Sequence, residues 1–185
     1  YLEGVDFEML KSGKPVRLNI PSNPYADGFT TPSGKVEFYS QTMADQGLDP
    51  LPDGQVLRDP DGGDKYCLEF ITPPHHFFLN SAFNEIDAIR RKVGRARVMI
   101  HPETAGTRGI SDGDPVRVFN DRGEASFLAH VTYDTQIGLL VAEGLHWPSL
   151  SPGSGVNQLT SQRLTDMGKT CAFHCNLVEV QPQAN

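Results

Sequence analysis

A polar run beside a glycine-rich loop carries the clearest chemical signal in the chain. Residues 156–160 read Val-Asn-Gln-Leu-Thr and follow the loop 149–155, which contains two glycines. Glycines allow a backbone to approach a planar ligand closely. The amide of Asn157 offers a hydrogen-bond donor and an acceptor together, as recognition of a ring edge requires. We therefore interpret Asn157 as a ligand-binding residue, and an Asn that caps a turn is the alternative.

A second group of polar residues occupies the loop 72–81, directly after a predicted strand. Pro73 and Pro74 stiffen this loop and prevent the strand from continuing. Its hydrogen-bonding side chains could form the rim of a site for a heterocyclic or phosphate-bearing ligand. They are Thr72, His75, His76, Asn80 and Ser81. For the two histidines the alternative is structural, because they could cap the loop over the phenylalanines at 77, 78 and 83.

Two further groups each have two interpretations. His146 and Trp147 lie near the predicted end of a strand, where side chains commonly face a ligand, although Trp147 could instead pack in the core. Five of the sixteen Lys and Arg residues fall between 90 and 97. They could bind a pyrophosphate or an acidic surface of another part of the protein. Alternatively, they form a solvated helix face paired with Glu85 and Asp87.

The sequence lacks the residue patterns of several kinds of metal site and catalytic site. Cys171 and Cys175 flank a histidine but have no further closely spaced ligands for zinc, so we expect reduced thiols in or near the core. A histidine triad at 75, 76 and 101 has no carboxylate or cysteine fixed near it. The sequence has no Cys-x-x-Cys-x-x-x-Cys string for an iron–sulfur cluster. It also has no Ser/His/Asp order and no paired-carboxylate pattern, which disfavours a self-contained hydrolase.

The elements that position these residues are predicted to be mostly short strands. Alternation or β-rich composition predicts strands at 16–20, 66–72, 96–100, 116–119, 125–132 and 172–180, another that ends at 144–148, and an edge strand at 36–40 after a Ser33-Gly34 turn. Helical spacing of apolar residues predicts a helix around 86–93. Residues 45–64 are rich in Pro, Gly and Asp and are predicted to be a linker.

The stretch 101–132 has the most specific pattern. Pro102 suits the first position of a short helix whose last turn contains Arg108, and Gly109 suits the left-handed position after it. A Gly-Asp turn at 111–114 leads into a strand, a hairpin turn at 120–123 and a return strand. We expect Gly123 to adopt a positive φ in that hairpin turn.

This order of elements resembles the C-terminal domain of the molybdopterin oxidoreductases, the family of dimethyl sulfoxide reductase, formate dehydrogenases and periplasmic nitrate reductases. The segment Thr31–Tyr39 resembles the family string Thr-Pro-Ser-Gly-Lys-x-Glu-Phe-Tyr, and residues 156–160 resemble Val-Asn-x-Leu-Thr. The resemblance covers about residues 29–180. It departs from the family at Pro74, where an Arg is common, and the histidines of the loop do not align cleanly.

The resemblance implies a mainly β fold. Residues 65–185 would form a six-stranded double-psi β-barrel with a few short helices. Residues 1–64 would be an extended N-terminal segment and linker from the preceding part of the enzyme. The implied cofactor is molybdopterin guanine dinucleotide, with Mo or W in the full-length enzyme, and an iron–sulfur cluster would belong to missing domains. The expected cofactor-contacting residues are Asn157, Asn80, Ser81, Thr72, His76, His146 and Trp147.

The expected function is therefore that of a C-terminal cofactor-binding domain that does not catalyse a reaction alone. Its partners would be the dinucleotide and the rest of the same oxidoreductase chain. A double-psi barrel that binds protein or a small ligand without redox chemistry is the alternative, and a self-contained barrel enzyme is a third. The net charge of −7 argues against nucleic-acid binding, and the chain has no apolar run of membrane-spanning length. Because the chain starts at Tyr1, we expect a fragment or a processed product; the compartment is left open, with the cytoplasm favoured over the periplasm.

Overall fold

A computed structural model describes residues 1–51, 59, 64–153, 155–165 and 168–183. The chain forms two compact units, Tyr1–Gly54 and Gln55–Asn185. Most of the second half of the predicted linker 45–64 lies outside the described residues, and so does the end of the tail. The predicted division of the chain at residue 64 therefore remains a prediction.

The first unit contains two short helices, α1 (Phe7–Lys11) and α2 (Gln41–Asp45). The side chains of Asp6 and Ser40 cap their N-termini. The turn predicted at Ser33-Gly34 is present, but the strands predicted at 16–20 and 36–40 are not, since both stretches are irregular. Neither stretch has a neighbouring strand among the described residues, so alternation alone did not produce a ladder.

The second unit is a closed barrel of six strands. They are β1 (Leu68–Ile71), β2 (Arg97–Ile100), β3 (Pro115–Asn120), β4 (Gly123–Val131), β5 (Leu139–Val141) and β6 (Asn176–Pro182). Around the barrel their order is β1-β5-β2-β4-β3-β6. The pairs β1–β5 and β2–β4 are parallel, and the other four are antiparallel. The prediction of a mainly β, six-stranded barrel is confirmed, whereas the double-psi connectivity remains a prediction.

The core of the barrel follows the period-2 pattern of the sequence. Val98 and Ile100 of β2 are fully buried, and Ala125, Phe127 and Ala129 of β4 share the inward face. Burial of each larger side chain stabilises the fold by about 1.5–3 kcal/mol. Residues between them on the same strands therefore point outward, where they are available for other contacts.

Two helices of the second unit precede strands. The predicted helix at 86–93 is present as α3 (Asp87–Val93), and α4 (Pro102–Gly106) begins at the expected proline. Gly109 adopts the expected left-handed conformation, at a φ of 64°. The last-turn position predicted for Arg108 is wrong, because α4 ends at Gly106. Arg108 instead binds Glu179, with Nε 2.6 Å from Oε1.

Some predicted boundaries are also wrong. Strand β5 ends at Val141, before the expected end at 144–148, and β6 begins at Asn176 rather than at residue 172. The residues between Ala142 and Trp147 instead contribute to a loop that packs against the loop after β1. In that loop the peptide N–H of Gly144 donates to the carbonyl of Pro73 at 2.9 Å.

The hairpin between β3 and β4 corrects the expectation for Gly123. Asn120 and Gly123 pair as predicted, but Gly123 does not have a positive φ. A Cβ atom at this position would lie 2.9 Å from the carbonyl oxygen of Gln158. Glycine is therefore required by the close approach of another segment, and this requirement is invisible in the hairpin sequence.

Candidate functional site

A cavity of about 670 Å³ is the main candidate for a ligand site in the second unit. Its walls come from the loop after β1, the loop after β5, a 3₁₀ helix (Val156–Leu159) with the residues after it, and the segment before β6. Three of the predicted site residues line it together: Thr72, Asn80 and Asn157. Cavities of this size are typical of sites for small molecules and cofactors.

The 3₁₀ helix positions Asn157 at this cavity. Val156 and Leu159 are buried in the barrel core, which leaves Asn157 exposed between them. The amide of Asn157 makes no hydrogen bond to a described residue, and the helix has no side-chain cap. Both its donor and its acceptor are thus available to a ligand, whereas a turn-capping role would require a bond to the backbone.

Sequence reasoning missed several residues that line the same cavity. The polar run Thr160–Gln162 begins three residues after Asn157, and this closeness in sequence was the available signal. Phe173 also lines the cavity and is about half exposed. The buried amide of Asn176 ties the two segments together, because it donates to the Phe173 carbonyl at 2.8 Å and accepts from the Ser161 N–H at 3.3 Å.

A more polar depression of about 640 Å³ continues the cavity and adds two cationic side chains, Arg122 and Arg163. Arg122 binds buried Asp59 through two nitrogens, at 2.9 and 2.5 Å. Its Nε also donates to the carbonyl of Leu159 at 2.9 Å, which anchors the end of the 3₁₀ helix. Arg163 is exposed, and an exposed guanidinium group at a rim suits phosphate oxygens, so this side could face the charged part of a ligand.

A buried asparagine fixes the loop after β1. Asn84 is only 3% exposed, and its Nδ2 donates to the carbonyls of Ser81 and Leu145 at 3.1 and 3.0 Å. Its Oδ1 accepts from the peptide N–H of Trp147 at 3.2 Å. The indole of Trp147 is 37% exposed and donates to the same Ser81 carbonyl at 2.5 Å. Trp147 therefore lies outside the core, and neither it nor Ser81 lines the cavity.

The histidines of the loop are placed differently from one another. His75 accepts from the N–H of Phe77 at 3.1 Å through Nδ1, and its ring lies 5.1 Å from that of Phe78. This arrangement matches the structural alternative for His75. His76 is exposed, with its ring against Phe77, and it does not line the cavity beside Asn157 or the depression that continues it. Gly144 is pressed against His75, because a Cβ there would lie 2.8 Å from the His75 Cβ.

His146 lies in a second, smaller cavity, of about 390 Å³, and not beside Asn157. Its ring is buried and meets that of Phe78 edge-on at 5.4 Å. Burial lowers the pKa of His146, and the nearby charge of His75 lowers it further. The imidazole is therefore neutral near pH 7, with one N–H donor and one acceptor nitrogen.

The cysteines differ from the expectation. Cys67 and Cys171 are exposed and Cys175 is half-buried, so a place in the core is wrong for the first two. Cys171 lines the larger cavity. Within the described part of the chain, no three His, Cys, Asp or Glu side chains converge as a set of metal ligands. Among the same residues, no helix has the length and apolar character needed to cross a bilayer.

The donor set of the larger cavity suits a flat polar molecule. Amides and hydroxyls from Thr72, Asn80, Asn157 and Thr160 face it, and prolines and Phe173 supply apolar surface. Such a set can bind and orient a heterocycle through its edge while its faces contact apolar groups. Cys171 and His174 also line it, but no set of three metal-ligating side chains converges among the described residues, so binding, orientation and exclusion of water are what the cavity can contribute.

Comparisons with known proteins agree with this chemistry. The sequence profile described as Molydopterin dinucleotide binding domain matches residues 68–177. The probable oxidoreductase YoaE of Bacillus subtilis is 29% identical over 181 residues, covering 98% of this chain and 26% of that protein. Dimethyl sulfoxide reductase DmsA of Escherichia coli is 33% identical over 178 residues, covering 86% of this chain and 22% of that protein.

A solved structure shares the fold. The acetylene hydratase of Pelobacter acetylenicus matches with a TM-score of 0.74 at 19% identity, over 98% of this chain and 28% of that one. This chain therefore spans about a quarter of the length of the relatives that it matches.

Proposed function

This chain belongs to the molybdopterin dinucleotide-binding domain family, and we propose that its cavity beside Asn157 holds part of the cofactor. The family resemblance seen in the sequence is confirmed, and so is the expected role as a cofactor-binding domain. The observation that carries the assignment of the site is the free amide of Asn157, which faces a cavity formed largely within the matched residues 68–177.

The residues of this cavity fit the cofactor named by the family. A pterin and a guanine are flat heterocycles with donors and acceptors along their edges, which Asn157, Asn80 and Thr72 could recognise. The exposed guanidinium group of Arg163 has the charge that phosphates require, whereas that of Arg122 is paired with Asp59. When bound, molybdopterin with Mo or W would supply transfer of two electrons with an oxygen atom or a hydrogen equivalent.

The chain's own residues would bind, orient and shield this group. The buried side chains of Val156 and Leu159 fix the 3₁₀ helix that carries Asn157. Asn84 fixes the loop that carries Asn80. A preorganised rim loses less conformational entropy on binding than a mobile one. Leu145 and Phe173 would exclude water from the faces of the ligand.

We further propose that the whole protein is an oxidoreductase, with the rest of the same chain completing the cofactor site. The relatives named as dimethyl sulfoxide reductase and probable oxidoreductase support this proposal. An iron–sulfur cluster in that remaining part and a cytoplasmic location are parts of the same proposal, as is the double-psi connectivity of the barrel. The substrate is left open.

The test is to measure Mo and W by mass spectrometry, with GMP released by acid, in the full-length protein purified from its source. We expect near-stoichiometric metal and released nucleotide. Asn157→Ala should weaken cofactor retention about tenfold, since it removes two hydrogen bonds of about 0.5–1.5 kcal/mol each. The matched control is Gln136→Ala, an exposed amide that lines neither cavity.

Two results would contradict the proposal. A folded full-length protein without metal or nucleotide would favour the binding-module hypothesis. If Asn157→Ala retained as much cofactor as Gln136→Ala, the domain assignment would stand but the cavity would not be the contact site.

A further inference from the structure

We propose that the second cavity, on the outer wall of the barrel, binds a phosphoryl oxyanion. This cavity shares no lining residue with the one beside Asn157. Arg97 and Met99 alternate with the buried Val98 and Ile100 of β2, so they face outward. His130 of β4 likewise follows the buried Ala129. The cavity is therefore separate from the barrel core and from the proposed cofactor site.

Unneutralised positive charge surrounds this cavity. Lys92, Arg95 and Arg97 line it, and Glu143 is the one carboxylate among its lining residues. None of the three cations makes an ion pair with a described residue. Lys92 is instead held over the ring of Phe77, with Nζ 4.2 Å from the centroid, which orients the charge without cancelling it.

Some other cations of the same unit are paired with carboxylates. Arg90, on the same helix, pairs with Asp87, so the solvated-helix interpretation holds for that residue. Elsewhere on the barrel Arg117 pairs with Glu124 at 2.7 Å. Lys92, Arg95 and Arg97 differ from these two in that they make no ion pair with a described residue and line one concavity together. They supply the long-range attraction that an anion requires.

A buried histidine provides an independent observation. His146 is 9% exposed, lines the same cavity, and makes no hydrogen bond to a described residue. Its ring nitrogens keep some contact with solvent in the cavity, so a ligand that enters the cavity can reach them. Because its pKa is lowered by burial and by His75, the neutral ring offers an N–H donor to a ligand oxygen.

The combination of these groups defines the ligand class. Guanidinium forks and an ammonium group are the usual partners of phosphate oxygens. A concave volume of about 390 Å³, with the buried His146 among its lining residues, favours a compact ligand over a flat acidic protein surface. The ligand is thus a phosphoryl group, either of free phosphate or pyrophosphate or of a nucleotide.

Calorimetric titration of the purified protein with pyrophosphate, at low ionic strength, tests this site. The Arg95→Gln/Arg97→Gln double variant should bind pyrophosphate at least about tenfold more weakly, because charge-assisted hydrogen bonds are lost. Arg91→Gln is the matched control: it removes the same charge from the same basic run but does not line the cavity. It should change the affinity less than about twofold, since exposed charges at a distance are screened.

Two further arms identify the contacts and the source. Arg97→Lys retains the charge but not the forked guanidinium group. It should therefore bind pyrophosphate more tightly than the double variant and more weakly than the wild type. GDP that binds more tightly than pyrophosphate, with the same loss in the double variant, would indicate a nucleotide phosphate; tighter pyrophosphate binding would indicate a free oxyanion. The proposal is overturned if the wild type does not bind either probe, or if Arg91→Gln weakens binding as much as the double variant. Circular dichroism spectra confirm that each variant is folded.

Discussion

Replacement of Asn84 by alanine should loosen the loop after β1 without removing any group that lines the cofactor cavity. The Asn84 side chain is almost fully buried and makes three hydrogen bonds to backbone groups. Two of them hold carbonyls of the loops on either side, and the third satisfies the N–H of Trp147. All three are lost together in Asn84→Ala.

The structure sets the size of the effect. Each intramolecular hydrogen bond contributes about 1 kcal/mol net, and a buried group left without a partner costs about 1–3 kcal/mol. The expected loss in unfolding free energy is therefore about 3 kcal/mol. For a domain of this size it corresponds to a fall in Tm of about 6–12 °C.

Urea denaturation followed by tryptophan fluorescence measures this loss, since Trp147 is the chain's one tryptophan and lies at the perturbed contact. Asn157→Ala is the matched control. Its amide is exposed and makes no hydrogen bond to a described residue, so its stability should stay within about 0.5 kcal/mol of the wild type. A loss below about 1 kcal/mol for Asn84→Ala, or equal losses for both variants, would refute the argument that Asn84 fixes the loop.

Two other predictions concern the barrel and its titration. Gly123→Ala should lower the unfolding free energy by about 1–3 kcal/mol, because the added Cβ meets the Gln158 carbonyl. In contrast, Gly106→Ala, which has open space, should be neutral or stabilising by up to about 1 kcal/mol; equal effects in urea denaturation would contradict this explanation. The pKa of His146 is lower in the folded chain than in the unfolded chain, so the unfolded chain binds the His146 proton more tightly. The stability that the neutral His146 ring contributes is therefore complete above about pH 6.5, and it is lost as the pH falls below that value. His146→Gln should flatten the fall in unfolding free energy below that pH, and an unchanged slope in the variant would exclude His146 as its source.

The sequence alone determined the inward face of the strands and several turns. Alternation predicted strands at 96–100 and 125–132, and Val98, Ile100 and Phe127 each lie on the buried face of their strand, because period-2 alternation has a direct physical cause in the strand backbone. Pro102 marked the start of α4, and Gly109 marked a left-handed position in the turn that follows the helix, because their backbone preferences are local. The family motif also indicated Asn157, since a free amide after a glycine-rich loop is a feature of adjacent residues.

Alternation without a partner strand was not enough. Residues 16–20 and 36–40 have strand-like sequences but are irregular, because strand stability comes from pairing with a neighbour. Gly123 shows the converse case. Its hairpin was predicted, but the reason for glycine lies in Gln158, which is 35 residues away in the chain and adjacent in space.

Only the tertiary structure decided which polar residues share a site. Thr72, Asn80 and Asn157 meet at one cavity because two separate segments, the loop after β1 and the 3₁₀ helix, converge there. Leu145 lines that cavity, yet its neighbour His146 lines the other one. Consecutive side chains of an extended segment point to opposite sides, so a step of one residue separates the two sites. Which side faces which cavity depends on long-range packing, and no local pattern in the sequence contains it.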